Sequence, residues 1–196
     1  MAIPAPLHGL ALLCCGLLLS CSAVKIETGQ THEEAVASAE SEARRLRVEF
    51  AGQMQRATPP TQARIVIGHV DSTAARLSAF GFEVAREWRR GNAGRGSEVP
   101  DTEMRRVVNA WVDRQQPILS AWEDNLEYGL NGIKESRHFP AQFLELMERL
   151  ADSYYELYST VLFPSGSVDE YEDAVDRARR NVETVSRRCR EELDRY

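Results

Sequence analysis

The sequence predicts an all-α protein, an antiparallel up-and-down bundle of four to five long amphipathic helices. Three observations lead there. Beyond residue 30, apolar residues recur at steps of three and four in five separate stretches. Two stretches open with capping-box spacing, Thr31 to Glu34 and Ser167 to Glu170, which lets hydroxyl and carboxylate satisfy first-turn amides reciprocally. Breaks rich in Pro and Gly separate the stretches, and strand-like alternation is almost missing.

The first stretch carries Val36, Ala39, Ala43, Leu46, Phe50, Met54 and Ala57 until Thr58-Pro59-Pro60 ends it. The second carries Ile67, Val70, Ala74, Leu77, Phe80, Val84 and Trp88. Its opening, Arg64 to Val70 (RIVIGHV), is β-branched enough for a short strand, but the unbroken stripe predicts helix. Gly91 to Pro100 is a break, after which Asp101 or Thr102 can cap a third helix. That helix reads Met104, Val108, Trp111, Gln115, Ile118, Trp122, Leu126, Gly129 and Ile133. Pro117 removes the bond to the carbonyl of Asp113, so a bent helix is expected, with two helices as the alternative. The fourth starts near Pro140 and follows Phe143, Met147, Leu150, Tyr154, Tyr158 and Val161 to the stop at Phe163-Pro164-Ser165-Gly166. The fifth follows Tyr171, Val175, Ala178, Val182, Val185, Cys189 and Leu193. Short connections between helices of about 35 to 50 Å make consecutive helices antiparallel.

With 196 residues and 43% hydrophobic content, one compact domain can bury a real core. Disordered, collagen-like and disulfide-dense classes are excluded by composition. The 24 basic residues are outnumbered by 30 acidic ones, giving a formal charge of −6, and the two signs are interleaved rather than pooled. Phosphate binding needs a basic surface, so no nucleic-acid partner is expected.

Residues 1–24 carry no charged side chain. The run Leu10 to Leu19 (LALLCCGLLL) is too short for a hydrocarbon core of about 30 Å and suits the apolar centre of a signal peptide. Directly after it stands Leu18-Leu19-Ser20-Cys21, which resembles the lipobox of bacterial lipoproteins. The resemblance covers about the first 25 residues and implies cleavage after Ser20, with lipid on the Cys21 thiol and on its new amino group. Residues 1–20 would then be a signal peptide, residues 21–30 a lipidated cysteine and polar tether, and residues 31–196 the helical domain. A plain secretory signal or an uncleaved anchor is the alternative. Several acyl chains on one cysteine make attachment effectively permanent, because each buried methylene contributes about 0.8 kcal/mol. Ser22 rather than Asp after the cysteine resembles the pattern sorted to the outer membrane, so the periplasmic face of that membrane is the expected location. Only Cys189 then remains as a free thiol, on an apolar seam with Val185 and Leu193, and a buried, inert thiol is expected.

His69 and His138 fall toward one end of such a bundle, yet only Glu135-Ser136-Arg137-His138 has di-iron spacing, and no second such pair exists. A haem ligated by Met54 with His69 or His138 is permitted by the geometry, without a Cys-x-x-Cys-His attachment site to support it. Gly91, Gly94 and Gly96 lack the preceding strand and the Lys of a phosphate loop. No nucleophile motif occurs, and the basic Arg177 to Arg190 segment is balanced by nearby carboxylates. No catalytic, cofactor or metal residue is assigned. Tyr154 and Tyr155 point about 100° apart on one helix, and with Tyr158 they either face two neighbours or expose aromatic surface to a partner. The expected function is a non-enzymatic, membrane-tethered interaction or scaffold module with an envelope protein partner. The alternatives are a periplasmic inhibitor or immunity protein and a metal- or haem-binding bundle.

Overall fold

The computed structural model describes residues 31–92 and 101–196, and these form five helices. They are α1 (His32–Arg56), α2 (Pro59–Asn92), α3 (Asp101–Glu135), α4 (Ala141–Leu162) and α5 (Val168–Leu193). Among the described residues there is no strand, and RIVIGHV lies inside α2. Both capping boxes form, with Thr31 and Ser167 accepting from the amides of Glu34 and Glu170 while those carboxylates bond back. Pro59 opens α2 where its missing N–H costs nothing. α3 runs continuously through Pro117 as one helix. Ser20 and Cys21, the polar tether and residues 93–100 of the Gly-rich break lie outside the described residues, as does the side chain of Met104.

Consecutive helices are antiparallel. Along the α2–α5 seam Arg64 meets Asp194, Asp71 meets Arg190, and Arg89 meets both Asp169 and Glu172, so one helix rises as the other falls. On α4 and α5 the Tyr171 hydroxyl donates to the Val161 carbonyl at 3.1 Å and Cys189 Sγ donates to the Leu146 carbonyl at 3.6 Å. α2 occupies the middle, with α3, α4 and α5 around it, and the largest fully buried side chains include Ile67 and Leu77 of α2.

α1 departs from a simple ring. It packs along the C-terminal half of α3 in the same direction: Leu46 accepts from Asn125 at 3.4 Å, Arg47 reaches Asp124 at 2.7 Å, and Phe50 lies beside Gly129. Small residues allow this approach. Ala39 and Ala43 are buried on α1, and a Cβ on Gly129 of α3 would stand 2.5 Å from Val66 Cγ2 and 3.2 Å from Phe50 Cζ. Gly81 plays the same part where α2, α4 and α5 meet: a Cβ there would stand 3.1 to 3.2 Å from Val175 and Val161.

The apolar stripes are buried largely as their spacing predicts, with shifts near Pro117. Leu119 and Ala121 are buried there, while Ile118 and Gln115 are half-buried. α3 carries α1 on one side and α2 on the other, so its burial is wider than a single stripe. Ser186 is likewise buried beside half-buried Val185.

Candidate functional site

The residues that stand out lie where α2, α3 and α4 meet. α3 and α4 are antiparallel, tied by Lys134 to Glu148 at 2.8 Å, and this register sets Glu123 and Glu127 of α3 opposite the tyrosines of α4. Tyr154 and Tyr155 meet edge to face with ring centres 5.6 Å apart, and Tyr154 and Tyr158 are tilted at 6.2 Å. The three rings sit at three depths. Tyr154 is 1% exposed, Tyr158 is half-buried and Tyr155 is 40% exposed. Helical geometry dictates the spread, since neighbours in sequence point about 100° apart.

The electrostatics of the cluster are those of unbalanced negative charge. Partial burial raises the Glu123 carboxyl above its ordinary value, and the adjacent Asp124 charge raises it further. Burial pushes the Tyr158 phenol up to about 12, helped by Glu123 and Tyr155. Burial also raises Tyr155, with added repulsion from Glu123 and Glu127. Tyr154 rises most through burial; Thr73 of α2 opposes, while Tyr158, Glu123 and Tyr155 add to the rise. Thr73 lies beside the buried Tyr154 hydroxyl; it donates to the carbonyls of His69 and Val70 at 2.9 and 3.2 Å, which leaves its oxygen able to accept from Tyr154.

Elsewhere the surface is laced with Arg–carboxylate pairs, most at helical spacing: Arg45 with Glu42 and Glu49, Arg90 with Glu87, and Arg179 with Asp176 and Glu183. Glu123 and Glu127 make no ion pair among the described residues. The signal for this was in the sequence. Neither glutamate has a basic residue three or four positions away on its helix, whereas Glu42, Glu87 and Asp176 do. The tyrosines are visible in the sequence too, but their convergence with Glu123 depends on the α3–α4 register.

Other candidate residues are dispersed. His69 Nε2 is 2.9 Å from the Trp122 carbonyl and its ring lies 5.0 Å from that of Phe50. Since a carbonyl only accepts, Nε2 carries the proton and donates. His138 packs edge-on against Phe139 beyond the end of α3, about 20 Å along that helix from Trp122. The structure therefore does not bring the two histidines together, and among the described residues no three His, Cys, Asp or Glu side chains converge as a metal site would require. Met54 is buried against Gly132. Burial, then the Asp71 charge, raises the Cys189 thiol to about 12, with Arg190 only partly opposing, so it is a poor nucleophile. Between α2 and α5 a groove of about 550 Å³ remains because Ala74, Ala75 and Ala79 are small. Its rim charges neutralise one another, Asp71 pairing with Arg190 and Arg179 with Glu183.

No family model, curated protein or solved structure matches this chain. Function therefore has to be read from the site itself. No helix among the described residues is long and apolar enough to cross a membrane.

Proposed function

We propose that this protein is a lipid-tethered, non-enzymatic interaction module of the bacterial cell envelope, held at the periplasmic face of the outer membrane through lipid on Cys21. The address rests on Leu18-Leu19-Ser20-Cys21 and the uncharged stretch before it. One observation carries the interaction role: a partly exposed tyrosine face on α4, set opposite the partly buried Glu123 of α3. Exposed tyrosine area of this kind is enriched at the centre of protein contacts, with charge toward the rim. A rigid helical scaffold fixes its geometry in advance, which lowers the ordering cost of binding.

The test uses the full-length chain in its host. A photo-crosslinking residue at position 155 is expected to give a discrete protein adduct in intact cells, while one at position 177, on the outer side of α5, gives none. Failure to obtain a discrete adduct from positions 155, 127 and 128 overturns the interaction role. Mass spectrometry of the purified protein is expected to find a lipidated N-terminal Cys21; an unmodified cysteine, or cleavage elsewhere, overturns the anchor.

A further inference from the structure

We draw no further inference here: the strongest candidate, the open groove between α2 and α5 floored by Ala74, Ala75 and Ala79, has rim charges that pair within the chain, and nothing in the structure shows what covers it.

Discussion

At the residue scale, two glycines in long helices differ only in their surroundings. Gly68 faces open space, and Gly129 faces Val66 and Phe50. Gly68→Ala is expected to stabilise the protein by about 1 kcal/mol through helix propensity. Gly129→Ala gains the same propensity but forces overpacking that costs about 1 to 3 kcal/mol, and the three helices meeting there leave little room to relax. Denaturant melts are expected to move in opposite directions, and Val66→Ala should rescue part of the Gly129→Ala loss. His69 supplies a pH dependence. Burial lowers its pKa first; its bond to the Trp122 carbonyl opposes, and Arg76 lowers it further. The folded pKa thus lies below the unfolded value of about 6.5, so the fold favours neutral imidazole. Its stabilisation is full above pH ~6.5 and is lost as pH falls through the folded pKa. The melting temperature is expected to drop between pH 7 and 5, less so in His69→Gln, which can still donate to that carbonyl. Glu123 contributes the opposite slope, because its pKa is raised: its stabilisation is present below its unfolded value and lost as pH rises. Comparison with His69→Gln therefore isolates the histidine.

At the element scale, the helices are not equally committed to the bundle. α2 is enclosed by three partners, while α1 leans on α3 and touches α2 only near Phe50 and Met54. Local opening follows the amount of packing lost, so α1 amides are expected to exchange with solvent before those of α2. Equal protection in hydrogen-exchange measurements would show α1 to be integral to the cooperative core. The α5 cap makes a second case. Ser167 and Glu170 satisfy each other's backbone amides, and the backbone bond from Ser167 lowers the Glu170 pKa first. Ser167→Ala is expected to cost about 1 kcal/mol, read as a lower denaturation midpoint with unchanged slope. Both capping boxes were legible in the sequence because a cap is a local interaction across four residues. The parallel docking of α1 on α3 was not, because Ala39, Ala43 and Gly129 are widely separated and only their small size hints at close approach.

At the scale of the whole molecule, the bundle has its own core within residues 31–196, so the proposed anchor and the fold are separable. Cys21→Ser is expected to release the protein from the membrane fraction while its circular dichroism and melting stay within error of the wild type's. Continued membrane retention would assign the attachment to something other than lipid. The sequence by itself determined the helices, their caps, their breaks and most of the buried stripes, including a buried Cys189, because periodicity and capping act over three or four residues. It also displayed Tyr154, Tyr155 and Tyr158, and the lack of basic neighbours around Glu123 and Glu127. Only the tertiary structure decided that α1 lies along α3, that His69 and His138 stay apart, and that the tyrosines gather beside the unpaired carboxylates. Those outcomes depend on the register between helices distant in the chain, which is set by close packing such as that of the Gly129 backbone against the Val66 side chain, and one-dimensional spacing carries no record of it.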